Sequence, residues 1–234
     1  MQFNQPEQEI IQKLLPTFAL LCVHNAHARI MSFSELKRTL SSREKKFLRE
    51  FLKINPRNYG VILPKYGIHL VPRDLVMIRK ESAPGTKRII TRGVHYLPDE
   101  TYRAYRAMNR AMLRDIGKRV FVESGYRSSA YQLVLFLEYL TEDGFDLRKT
   151  AKRIAFPGYS EHGAPHAQAI DLITAKREEN TVKDPVFEKT KEYEWLLLYA
   201  KEYGFTLSYP RGNKWGIAFE PWHWRYAKRT PGHT

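Results

Sequence analysis

The chain has one cysteine, Cys22, so it can form no intramolecular disulfide and no cysteine-rich zinc module. Any metal must be held by histidine and carboxylate. It has no apolar run long enough to span a bilayer, and no internal repeat, heptad array or low-complexity tract. It is also short of acid: 25 Asp and Glu stand against 39 Lys and Arg, for a formal charge of +14. That imbalance favours an anionic partner: nucleic acid, an anionic membrane face or an acidic envelope polymer. A basic enzyme with a solvated surface accounts for the charge equally well. No recognition-helix pattern or RNA-binding signature accompanies it, so nucleic acid is not the expected partner. Aromatic residues are not scarce. At 13% of the chain, within a hydrophobic total of 43% over 234 residues, they suffice for a packed core.

The N-terminal part reads as a helical, basic extension over residues 1–58, with a boundary near Asn55-Pro56-Arg57 and a second domain over 59–234. Within it, the apolar run 14–23 followed by Ala26-His27-Ala28 has the length and small-residue ending of a secretory signal. Glu7 and Glu9 against Lys13 leave that segment without a positive front. Export by 14–28 and an ordinary buried helix are the two readings. Phe33, Leu36, Leu40, Phe47, Leu48, Phe51 and Leu52 keep helical spacing among many Lys and Arg, which predicts one or two amphipathic helices over 32–54. Such helices suit an anionic envelope surface or a solvated face packed on its own domain.

Further on, short strand-like runs at 67–71, 75–78 and 88–91 are broken by Pro and Gly. Pro98-Asp99 opens a helix that Gly117 stops. Arg119 to Glu123 alternates like a strand, and Ser129-Ala130-Tyr131-Gln132 has capping-box spacing for a helix reaching about Asp143. Ile170 to Ile173 reads as a strand and Glu188 to Tyr203 as a helix ended by Gly204. Residues 205–209 and 216–219 read as a hairpin around Pro210-Arg211-Gly212-Asn213. Helices and strands without regular alternation predict an α+β fold, with a small, mainly antiparallel sheet flanked by helices.

The chemistry concentrates in a few segments. Ser160-Glu161-His162 leads on to Ala169-Ile170-Asp171, and Glu220-Pro221-Trp222-His223 lies near the C-terminus. Two imidazoles, one carboxylate for a metal and one further carboxylate for a proton are the inventory of a catalytic zinc site. Pro221 fixes its own φ and biases Glu220 toward extended backbone, which makes a rigid turn. That turn can place His223 on a metal with Glu220 near the activated water, or it can be a buried aromatic turn with an incidental histidine. Asp171, between Ile170 and Leu172, needs a cationic partner because an unpaired buried carboxylate is costly. A metal or an arginine would serve. Ser124-Gly125-Tyr126-Arg127 places an arginine after a tight strand exit, suited to binding a carboxylate or a developing oxyanion.

Taken together these segments resemble the VanY-type D-alanyl-D-alanine carboxypeptidases, of the zinc metallopeptidase group shared with lysostaphin and the hedgehog signalling domain. The resemblance runs from about Gly60 to Tyr226. It rests on Ser-Gly-Tyr-Arg-Ser (124–128) with Gln132, on Pro-Gly-Tyr-Ser-Glu-His (157–162), and on Ala169-Ile170-Asp171-Leu172. It continues through Gly204-Phe205 with Ser208-Tyr209-Pro210, and Glu220 to Tyr226. It implies the hedgehog/D-Ala-D-Ala peptidase-like fold, with His162, Asp171 and His223 as ligands of Zn2+. By the same resemblance Glu220 is the general base and later proton donor, Arg127 stabilises the tetrahedral intermediate, and Gln132, Ser160 and Tyr209 contact substrate. One departure is visible. The interval from His162 to Asp171 is two residues longer than the usual His-x-x-Gly-x-Ala-x-Asp, Ala167 stands where Gly is expected, and His166 falls inside the loop. The Ser-Glu-His context keeps His162 as the ligand.

The expected activity is therefore zinc-dependent hydrolysis of the terminal D-alanyl-D-alanine bond of a peptidoglycan stem peptide. An envelope or periplasmic location follows, with the cytoplasm as the alternative. A peptidoglycan endopeptidase and a tetrapeptide-specific L,D-carboxypeptidase carry the same motifs. A non-catalytic zinc module that recruits cell-wall partners is the rival from another class, and the intact Glu220 counts against it, because a structural site needs no base.

Overall fold

The computed structural model describes residues 3–83, 85, 87–165, 168–177 and 184–227. In chain order its elements are α1 (Gln5–His24), α2 (Phe33–Arg38), α3 (Ser42–Phe51), β1 (Leu75–Ile78), β2 (His95–Pro98), α4 (Asp99–Ile116), β3 (Phe121–Ser124), α5 (Ser129–Glu142), α6 (Leu147–Ala151), β4 (Ala169–Ile173), α7 (Lys191–Tyr199), β5 (Phe205–Leu207) and β6 (His223–Tyr226), with short 3-10 turns between. Packing divides the chain into two compact units. One takes its described residues from 1–71, 127–163 and 212–218, the other from 72–126, 164–211 and 219–234.

In the first unit each early helix begins on a reciprocal cap. Asn4, Ser32 and Ser41 each accept from the backbone three residues on, and Glu7, Glu35 and Glu44 answer to the cap's own N–H. Ser32 and Ser41 hold Glu35 and Glu44 below the ordinary carboxylate range by these hydrogen bonds. The apolar part of the signal-like segment, 14–23, lies in α1, where Ile11, Leu14 and Phe18 are buried while Leu20 and Val23 are exposed. Phe51, Phe136 and Phe156 form an aromatic centre, with Phe136 and Phe156 ring centroids 4.2 Å apart. Each such ring contributes on the order of 1.5–3 kcal/mol on burial. Asn55-Pro56-Arg57 lies inside this unit, at a 3-10 turn capped by the Asn55 side chain.

In the second unit a four-stranded antiparallel sheet runs β3-β4-β6-β5, and β1 pairs with β2 as a separate ribbon. One face carries Val122, Ile170, Leu172 and Trp224 into a core shared with Tyr105, Met108 and Met112 of α4 and Trp195 and Leu196 of α7. Strand alternation sends Asp171 and His223 to the opposite face. β3 is anchored by Asn109, whose side chain donates to Val120 O and accepts from Val120 N, both at 3.0 Å.

The α+β architecture and antiparallel sheet agree with the expectation, but three local readings are corrected. The cap of α5 is Ser128, one residue earlier than the expected box, and it accepts from Tyr131 N. Of the strand-like runs, 75–78 is a strand, 67–71 has no regular structure, and 88–91 contributes a single bridge, Ser82 to Ile89. The hairpin 205–209/216–219 does not form: β5 pairs with β6. Residues 212–218 instead join the first unit, where Trp215 O accepts from Ile62 N at 2.9 Å and Ala218 N donates to Lys152 O at 3.1 Å.

Gly125 follows β3 against β2: a Cβ there would lie 2.3 Å from Tyr96 O, to which Tyr126 N–H already donates. A harmless Gly→Ala change raises stability by about 0.4–1 kcal/mol, whereas overpacking lowers it by about 1–3 kcal/mol. Gly125→Ala is therefore expected to lower the urea midpoint, and an unchanged or raised midpoint would contradict the close approach.

Candidate metal centre and active site

β4 and β6 bring the first two functional side chains together by register. Asp171 is the Cα partner of His223, so both side chains leave the same face of the sheet as direct cross-strand neighbours. His223 Nδ1 lies 3.0 Å from Asp171 Oδ1 and 3.7 Å from Glu220 Oε2. Two carboxylates thus converge on one ring nitrogen, with side chains 16% and 12% exposed. Carboxylate and imidazole donors gathered in this way are groups that a divalent cation can use.

The Glu-Pro-Trp-His turn is set by its backbone. His223 N–H donates to Glu220 O, Glu220 N–H donates to Tyr209 O at 3.2 Å, and Leu172 N–H donates to Trp222 O at 3.0 Å. The Trp224 indole donates to Pro221 O at 2.8 Å. Tyr209 packs its ring on the His223 imidazole, with centroids 4.8 Å apart.

His162 comes from a 3-10 turn, Glu161–Gly163, and is fully buried. Its backbone is tied to the arginine of the Ser-Gly-Tyr-Arg segment: Arg127 N–H donates to His162 O at 3.0 Å. A Cβ on Gly163 would stand 2.8 Å from Arg127 O, so the glycine permits this approach. Ser160 Oγ accepts from His162 N at 3.3 Å. Burial pushes the Tyr126 phenol up to about 12, so it stays neutral beside Arg127. Gln132 is buried and donates from Nε2 to Ala155 O at 2.7 Å, and its Oε1 has no partner among the described residues.

One ligand atom from each of His162, Asp171 and His223 lies within 4.8 Å of the others. Two imidazoles and a carboxylate at that spacing fit a divalent ion, and the set matches zinc's preference for nitrogen and oxygen donors with a position left open. His166 lies outside the described residues. Sequence reasoning passed over two contributors. Gly163 gave no signal beyond following His162. Tyr66, whose hydroxyl donates to the buried Glu161 at 3.4 Å, comes from an irregular stretch with no motif.

Residues 94–229 match the family model described as VanY, D-alanyl-D-alanine carboxypeptidase. The chain is 32% identical over 133 residues to the bifunctional D-Ala-D-Ala dipeptidase and D-Ala-D-Ala carboxypeptidase VanXYC of Enterococcus gallinarum, which covers 56% of this chain and 67% of that protein. It is 32% identical over 108 residues to a D-alanyl-D-alanine carboxypeptidase of Enterococcus faecium, across 45% of this chain and 29% of that one. The solved structure of the LdcB LD-carboxypeptidase superposes with a TM-score of 0.56 at 29% identity, covering 74% of this chain and 78% of that one.

Asp171→Asn tests the ligand set, since it removes the anionic donor and keeps the shape. Bound zinc, measured by atomic absorption after dialysis, is expected to fall from roughly one ion per chain to a small fraction of that, with the far-ultraviolet circular dichroism retained. Full zinc content in that variant would remove Asp171 from the centre.

Proposed function

The chain belongs to the VanY family of D-alanyl-D-alanine carboxypeptidases, and from that premise we propose that it removes the terminal D-alanine from peptidoglycan stem peptides by zinc-dependent hydrolysis. The observation that carries this reading is the gathering of His162, Asp171 and His223, with the Glu220 carboxylate 3.7 Å from the His223 ring.

His162, Asp171 and His223 would hold zinc, and the ion would supply Lewis acidity toward a carbonyl and toward water. The remaining work belongs to the chain. Glu220 takes the proton of the attacking water and passes it to the departing amine of D-alanine, so one carboxylate serves as base and then acid. The Arg127 guanidinium donates to the oxyanion as it develops. It does so from a backbone hydrogen-bonded to the His162 carbonyl, so ligand and oxyanion donor share one support. Gln132 helps to hold the substrate, its amide nitrogen being committed to Ala155 O. Ser160 and the Tyr209 ring complete the substrate wall.

Such a substrate implies work at the cell envelope. The basic face of α3, with Arg43, Lys46 and Arg49 exposed, suits an anionic envelope surface. No helix among the described residues is long and apolar enough to cross a membrane.

The likeness to the LdcB LD-carboxypeptidase supports a second reading, in which the tetrapeptide is the substrate and an L,D bond is cut. Defined muropeptides separate the two. Mass spectrometry is expected to show loss of one alanine from the pentapeptide, while loss only from the tetrapeptide would select the second reading. Glu220→Ala is expected to lower kcat by about 10²–10⁴-fold while zinc remains bound. Wild-type turnover in that variant would refute the assigned base.

A further inference from the structure

Across the four-stranded sheet, one row of side chains is defined by register. Ser124 of β3 is the partner of Asp171 on β4, and Asp171 is the partner of His223 on β6. The row exists because β3 slips. Val122 faces Leu172, yet Ser124, not Glu123, faces Asp171, so the strand carries one extra residue at 123. Without this bulge Ser124 would share Val122's side of the sheet, toward the apolar core. With it, Ser124 joins Asp171 and His223 on the face opposite that core. Glu123, the extra residue, turns outward to Arg177, 3.0 Å away.

The Ser124 side chain placed there is 8% exposed, and its Oγ has no hydrogen-bond partner among the described residues. A buried hydroxyl without a partner is worse than the methyl of alanine at the same position. Its presence needs an acceptor that arrives with something else. Carboxylates that bind a metal through one oxygen are themselves hydrogen-bonded through the other. The Asp171 carboxylate is the cross-strand neighbour of Ser124, and its Oδ1 lies against His223 Nδ1 at 3.0 Å. A hydroxyl can swing among three staggered positions about χ1 to follow a carboxylate that reorients.

We propose that Ser124 is a positioning residue of the metal centre, whose hydroxyl donates to the outer oxygen of Asp171 when the inner oxygen binds the cation. This rests on the zinc reading given above and extends it to a residue outside the metal-binding and proton-transferring set. The bulge at Glu123 is then the device that supplies the site with this hydroxyl. Ser124 touches neither substrate nor the reacting atoms and acts only through Asp171.

The test uses the full-length chain and Zn2+ itself as the probe, with affinity read by competition against a chromophoric chelator. Ser124→Ala is expected to weaken zinc binding by about 10–100-fold while the urea midpoint of the zinc-free protein is unchanged or slightly raised. Ser124→Thr and Ser124→Val are nearly equal in shape and differ in the hydroxyl. The threonine variant is expected to bind zinc close to wild type, and the valine variant to match alanine. Equal zinc affinity in the threonine and valine variants overturns the proposal, as does a zinc-free Ser124→Ala protein that is destabilised but binds zinc normally. Failure of the wild-type chain to bind zinc would instead overturn the metal reading on which the proposal stands.

Discussion

His223 Nδ1 faces two carboxylate oxygens, at 3.0 and 3.7 Å, in a place largely withdrawn from water. Gathering three ionisable side chains out of water costs free energy. Something must hold them there. The sheet does so by making Asp171 and His223 direct partners on its two inner strands, and by filling the reverse face with Ile170, Leu172 and Trp224. The apolar side of each strand thus supplies the rigidity, and the polar side the candidate metal ligands. Burial of hydrocarbon on one face and the placing of these side chains on the other are parts of one arrangement.

The second support is backbone rather than side chain. Arg127 and His162 lie 35 positions apart in the chain, yet one N–H to carbonyl bond joins them, and Gly163 keeps the space that lets it form. Gly125 does the same for the exit of β3 against Tyr96. In both places a glycine is needed because a neighbouring carbonyl stands where a methyl would go. These contacts let an arginine on an irregular segment be held with the precision more usual for residues on strands.

Much of this was legible in the chain. Helix ends were marked by stop glycines, and Gly117 and Gly204 do end their elements in left-handed backbone. The strand around Asp171 was readable because its apolar neighbours alternate with it. What escaped notice has a physical reason. The pairing of β5 could not be read from 205–219, because the competing partner lies beyond them at 223–226 and the intervening residues are drawn off by Ile62 and Lys152. The bulge at Glu123 left no trace, since Val-Glu-Ser reads as ordinary alternation and the slip is decided by β4 opposite. Tyr66 lies in a stretch without periodicity, and only its reach to Glu161 marks it.

The clamp between Glu220 N–H and Tyr209 O closes the base of an excursion running from Pro210 to Phe219. Loop-closure entropy grows only with the logarithm of length. The closure itself therefore depends little on how long the excursion is, and the glutamate and histidine beyond it take their places from the clamp and the sheet. The number of residues in that detour is thus a separate matter from the register that sets carboxylate beside imidazole.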